Sequence, residues 1–201
     1  MPFITVFQMS QLYRFILRVL WPLFHYALES VEYSEEDWKV YVDVNEKFGH
    51  AVKCLIHHDD IVWVHDYHLL VLPKLIRSID ERIRVGFFLH TPFPSSEVFR
   101  YLNILILRAL PPRKEILESL LCSNLIGFHT FDYVRHFLSS CQHILQANVS
   151  PEYVDYCGCV TQVCVNPVGI EPDVFRVRRT RISSFTRNRK TMELISGKNQ
   201  S

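Results

Sequence analysis

Asp60-Ile61-Val62-Trp63-Val64-His65-Asp66-Tyr67-His68 is the stretch on which the fold turns. Four apolar residues, Ile61 to Val64, run without a polar break and then give way abruptly to ionisable ones. That pattern predicts a short strand covered on both faces, as in a parallel sheet, with its carboxyl end at His65 and Asp66. The same pattern recurs at Arg84-Val85-Gly86-Phe87-Phe88-Leu89, followed by His90-Thr91-Pro92, and at Leu125-Ile126-Gly127-Phe128, followed by His129-Thr130. Thr161 to Val165 makes a fourth run.

Helical periodicity fills the gaps. Ser34 suits an N-cap with Asp37 three residues on, and Trp38, Tyr41, Val42, Phe48, Val52 and Leu55 then fall on one predicted face. A shorter helix is expected from His68 to Ile76, carrying Pro73. Pro112 suits a first helical position, with Ile116, Leu117, Leu120 and Leu121 behind it. Thr130 suits the cap of a last helix burying Val134, Phe137, Leu138 and Cys141. Alternating strands and helices define a doubly wound α/β domain, in which ligands bind beyond the carboxyl ends of the strands. Three of those ends carry His65-Asp66, His90 and His129, so one functional edge is expected there.

Composition narrows the chemistry. The 201 residues are 48% hydrophobic and 21% charged, which excludes wholesale disorder. The net charge is +1, from 22 basic and 21 acidic residues, so no general attraction to nucleic acid or to membranes is expected. Phe15 to Phe24 mimics a short signal core, but Arg18 interrupts it and its length falls short of a membrane span, so it reads as buried protein. The six cysteines form no C-x-x-C pair, and Cys157-Gly158-Cys159 has the wrong spacing for a zinc knuckle. Cys54, Cys122 and Cys141 read as small buried hydrophobes, and reduced thiols in a cytoplasmic protein are expected. The sequence has no H-E-x-x-H, G-x-S-x-G, G-x-G-x-x-G or Walker loop. Only six glycines occur, the first at position 49, which is late for a phosphate-binding loop.

The motifs in order resemble the trehalose-6-phosphate synthases. They are Leu20-Trp21-Pro22-Leu23-Phe24-His25-Tyr26, Trp63-Val64-His65-Asp66-Tyr67-His68-Leu69-Leu70, Gly86 to Glu97, Leu125 to Tyr133 and Pro167-Val168-Gly169-Ile170-Glu171-Pro172. The resemblance implies the N-terminal, Rossmann-like half of a GT-B retaining glycosyltransferase, incomplete, with no cofactor and no metal. Its implied reaction moves glucose from UDP-glucose to glucose 6-phosphate. Asp66 and His90 would be catalytic, Asp66 orienting the acceptor and His90 holding the transferred glucosyl unit. Trp21 would line the acceptor pocket, and Tyr13 stands one position off the family's tyrosine. Each has a plainer alternative: a core aromatic for Trp21, a helix cap for Asp66, a backbone hydrogen bond for His90.

The departures define further expectations. Residues 1–175 are expected to form a partial N-terminal domain. Residues 176–201, with Arg176, Arg178, Arg179 and Arg181, would be a basic polar tail or linker toward a second domain. The family's phosphate-contacting arginine would lie before this chain starts, Asn124 replaces a usual aspartate, and Tyr101 to Arg108 reads as an insertion. The chain alone is expected to lack synthase activity. Association with a full-length synthase or other trehalose-complex subunits is implied. A non-catalytic regulatory or interaction module is the alternative function.

Overall fold

The computed structural model describes residues 4–57, 59–95, 112–169, 171 and 172. It divides after Pro167, and the description below concerns the first unit, Met1–Pro167. The expected insertion at Tyr101–Arg108, the boundary at 175 and the basic tail lie outside the described residues.

A helical rod opens the chain. Thr5 and Gln8 form a reciprocal capping box at the start of α1 (Val6–Phe15), which satisfies two amide donors at once. A π-turn, Ile16–Leu20, leads into α2 (Trp21–Phe24). Pro22 explains the turn: its ring clashes with the carbonyl four residues back, at Arg18, and it has no N–H to offer. The Glu32 amide donates to that Arg18 carbonyl at 2.9 Å. Phe15, Ile16, Val19, Leu20, Leu23 and Phe24 are buried, so the signal-like stretch is core.

Ser34 caps α3 (Glu35–Leu55) by accepting from the Asp37 amide. Asp37, almost fully buried, receives the Arg14 guanidinium through Nε at 2.9 and 2.7 Å and also through Nη2. This forked ion pair fastens α3 to α1. The inward face of α3 holds Trp38, Tyr41, Val44, Asn45 and Gly49. Phe48 and Leu55, expected inside, are exposed, as is Cys54: past Gly49 only part of the apolar stripe meets a neighbour. Cys122 is half-buried and only Cys141 of the three sits in the core.

The strands are β1 (Ile61–His65), β2 (Arg84–Leu89), β3 (Leu125–Phe128), β4 (Asn148–Ser150), β5 (Tyr153–Tyr156) and β6 (Cys159–Val165), in sheet order β1-β2-β3-β6-β5-β4. The first four in that order are parallel, and β5 and β4 add an antiparallel edge. Between them lie α4 (Leu72–Ile79), α5 (Arg113–Leu120) and α6 (Phe131–Ser140). Pro73 falls in the first turn of α4 and is harmless there. The Thr130 hydroxyl caps α6 by accepting from the Tyr133 amide.

Val64, Val85, Phe87, Leu89, Ile126, Phe128 and Val163 point into the core. The other face departs from expectation. Ile61, Leu125 and Trp63, the last 66% exposed, lie open among the described residues. Rings lie flat across this face. A Cβ on Gly86 would stand 3.6 Å from the Trp63 ring, and one on Gly127 only 2.5 Å from that of Phe88.

Tyr41 ties the core to the end of β1. Its buried hydroxyl donates to the Tyr67 carbonyl at 2.8 Å and accepts from the Leu70 amide at 2.9 Å, fixing the turn that follows Asp66. Burial pushes this phenol far above its ordinary pKa. Tyr41→Phe is expected to strand both backbone groups, at a cost of about 2 kcal/mol. That corresponds to a melting temperature about 4–8 °C lower by calorimetry; an unchanged value would mean the turn does not need the hydroxyl.

Candidate functional site

Parallel pairing sets the carboxyl ends of β1, β2 and β3 side by side, with His65 opposite Phe88 and Leu89 opposite Phe128. The residues just past those ends therefore converge. His65 Nδ1 lies 3.0 Å from His90 Nε2, so one of the two rings supplies the proton and the other the lone pair. The two rings stack at 5.3 Å, and His129 meets His90 edge-on at 5.5 Å. Phe88 packs beneath His90 and His129 at 4.9 and 5.0 Å. His129 is steadied from behind, its Nδ1 3.3 Å from the Asn166 carbonyl.

Asp66 stands at the centre of the edge. Its amide donates to the Phe88 carbonyl at 2.8 Å, and its own carbonyl accepts from the Leu69 amide. Its Oδ1 accepts from the His90 amide at 3.4 Å, and Oδ2 is 4.0 Å from His68 Nδ1. Although Asp66 precedes the 3-10 turn Tyr67–Leu69, its side chain makes no capping hydrogen bond. The backbone is strained, with φ 67° and ψ 174°. Glycine alone adopts that region freely, and any other residue pays about 1–3 kcal/mol to stay there. Such strain gathers where a side chain must be aimed. Next to His90, Thr91 Oγ1 is buried without a partner among the described residues.

Trp21 is 44% exposed, not a core aromatic. Its indole stacks on the His25 ring at 4.4 Å. Phe24, from the same short helix, stacks on Tyr67 beside Asp66 at 5.7 Å and meets Phe93 edge-on at 6.2 Å. Tyr26 donates to the Phe93 carbonyl at 3.4 Å. The Trp21 segment thus docks at the same end of the sheet as Asp66 and His90, without direct contact between the three side chains. Tyr13 is exposed on α1, and no hydrogen bond or ring contact joins it to this group among the described residues. His65 and His129, expected at the strand ends but given no role, both meet the His90 ring. Their strand-end position was the signal in the sequence. Among the described residues no cluster of three metal-ligating side chains occurs, and the six cysteines are free.

Known proteins share this fold. The Burkholderia xenovorans α,α-trehalose-phosphate synthase (UDP-forming), solved in complex with glucose-6-phosphate, matches 84% of this chain and 37% of its own length, at TM-score 0.75 and 32% identity. The Candida albicans trehalose-6-phosphate phosphatase N-terminal domain matches 81% of this chain and 33% of its own, at TM-score 0.70 and 35% identity. The fold is that of an N-terminal half of a GT-B glycosyltransferase, in part. The curated Schizosaccharomyces pombe α,α-trehalose-phosphate synthase [UDP-forming] is 42% identical over 189 residues, covering 89% of this chain and 35% of the yeast protein. The glycosyltransferase family 20 profile matches residues 4–198, and the chain belongs to that family. It spans about a third of the length of the curated relatives it matches.

Proposed function

We propose that this chain supplies the acceptor-side half of a UDP-forming α,α-trehalose-phosphate synthase, and that glucose 6-phosphate sits over the strand ends at Asp66 and His90. The observation that carries the reading is Asp66, held in a costly conformation beside His90 at the strand ends without capping the turn behind it. A carboxylate there accepts hydrogen bonds from sugar hydroxyls and fixes the acceptor in register. His90, oriented by His65, holds a hydroxyl of the transferred glucosyl unit, and Trp21 offers its exposed face to the C–H side of the acceptor ring. In the reaction proposed, an acceptor oxygen bonds to the anomeric carbon as the bond to UDP breaks. The leaving electron pair goes to the phosphate, the acceptor hydroxyl's proton passes to that phosphate oxygen, and the configuration is retained. No protein nucleophile takes part; the residues contribute position and electrostatics.

Titration calorimetry tests the acceptor site. Glucose 6-phosphate is expected to bind this chain weakly, and the binding is expected to vanish in Trp21→Ala. Incubating the chain with UDP-glucose and glucose 6-phosphate is expected to yield no trehalose 6-phosphate, because the relatives' remaining two thirds is proposed to hold the nucleotide sugar. Turnover by this chain alone would overturn that division of labour.

The Candida structure favours a second reading, since the same fold there belongs to a protein named as a phosphatase. A non-catalytic module that associates with a full-length synthase would fail to bind the sugar phosphate yet co-purify with the synthase and change its rate. Either role is proposed for the cytoplasm, in keeping with six free thiols. No described helix is long and apolar enough to cross a membrane.

A further inference from the structure

A second concavity, about 610 Å³, opens beside the amino-terminal end of β3, away from the strand ends described above. Lys74, Arg77, Cys122, Tyr156, Cys157 and Cys159 line it, so half of the six cysteines face one cavity. Nothing in the glucosyl-transfer reading uses them. We propose that Cys122 and Cys159 form an oxidation-sensitive dithiol site that closes to a disulfide on reaction with a hydroperoxide.

The sheet explains why these two share the cavity. Strand alternation places Cys159 on the same face of β6 as Thr161, and the Thr161 hydroxyl donates to the Leu121 carbonyl at 2.8 Å. Cys122 is the next residue, at the end of α5, where its thiol donates back to the Glu118 carbonyl at 3.3 Å. Both residues line the same cavity. Burial raises the Cys122 thiol above its ordinary pKa, and Lys74 and Arg77 pull it back. Cys157 is engaged differently. It occupies the β5–β6 turn with φ 53°, just after Tyr156, whose hydroxyl donates to Glu118 Oε1 at 3.1 Å.

The exposed Cys159 reacts first. Its thiolate attacks a peroxide oxygen, the O–O bond breaks, and the departing hydroxide leaves as water, giving a sulfenic acid. The Cys122 thiolate then attacks that sulfur, an S–S bond forms, and the second hydroxide leaves as water. Two thiols are oxidised and one peroxide is reduced. The bridge would close a loop of roughly 40 residues containing β3 and α6.

The full chain is treated with hydrogen peroxide, alkylated, digested and mapped by mass spectrometry. A Cys122–Cys159 linked peptide is expected, lighter by two hydrogens. Its formation should raise the melting temperature by about 10 °C, and dithiothreitol should reverse both changes. Cys157→Ser should leave the cross-link intact and Cys159→Ser should abolish it. A Cys157–Cys159 link, oxidation only to sulfinic acid, or three unreacted thiols would each overturn the proposal.

Discussion

Asp66→Gly raises the melting temperature of this chain by about 2–4 °C and Asp66→Ala does not, while both lose glucose 6-phosphate binding: that is the expected result at the proposed site. The difference between the two variants follows from φ 67° and ψ 174° at Asp66. Glycine removes the clash that costs an ordinary residue about 1–3 kcal/mol, offset by about 0.5–1 kcal/mol of extra freedom in the unfolded chain. A net gain of about 1 kcal/mol gives the stated shift for a chain of this size. Alanine keeps the clash; both variants give up the long 3.4 Å contact from the His90 amide, so the backbone strain alone separates them. On the binding side, each hydrogen bond from a sugar hydroxyl to a carboxylate is worth about 1.5–3 kcal/mol. Two such bonds give a loss of about 10²–10⁴-fold, in affinity here and in kcat/KM for a complete enzyme carrying this segment. A glycine variant that melts lower would show the backbone to be relaxed. One that still binds would remove Asp66 from the site.

The second large effect lies at the other end of the sheet. Arg77 Nε and Nη2 donate to the Cys122 carbonyl at 3.2 and 3.0 Å, and Nη1 donates to the Ile83 carbonyl at 2.9 Å and to that of Glu81. Nη2 also reaches Asn124 Oδ1 at 3.0 Å. One side chain thereby holds the ends of α4 and α5 and the start of β3. Arg77→Met keeps the aliphatic stem and removes every donor, and a loss of about 3 kcal/mol is expected. In urea this appears as a lower midpoint with an unchanged slope. Arg77→Lys should recover only part of the loss, because an ammonium cannot reproduce the planar fork. If lysine restored full stability, the fork would be irrelevant and charge alone would suffice.

Asn124 shows how a departure from a motif can be silent. Its Oδ1 accepts both Arg77 and the Val85 amide, the latter at 2.8 Å. An aspartate oxygen would do the same, so the acceptor survives although the charge does not.

Three of the four parallel strands were legible because each is a nearly unbroken apolar run ending in a polar step. The fourth, with Thr161 and Gln162, was legible by its β-branched content, and the residues at the strand ends predicted the edge. The Ser34 and Thr130 caps were legible for the same local reason. The hairpin of β5 and β6 was not, although Cys157-Gly158 carried its signal: both residues take positive φ, 53° and 79°, as a two-residue turn requires. Attention to cysteine spacing hid the turn. The bare sheet face could not be read at all, since a strand's composition says what it can bury and not whether a layer arrives. Likewise, Cys54 and Leu55 look internal by period, and only the position of the next element decides. At the proposed site, Asp66 and His90 stand out as motif residues. The clustering of His65 and His129 around His90 depends on register, which no single strand records.

The flat packing of Phe88 across Gly127 bears on which sequences this fold tolerates. Phe88 also carries the undersides of His90 and His129, so the position of two imidazoles depends on the absence of one methyl group on the neighbouring strand. Gly127 has φ in the ordinary range, and backbone freedom does not explain it. Its constraint is room. Drift at that position is therefore limited from beneath the proposed site, by a residue with no polar side-chain atom to offer it, and a change as mild as one carbon would be felt first as a tilt of the imidazoles.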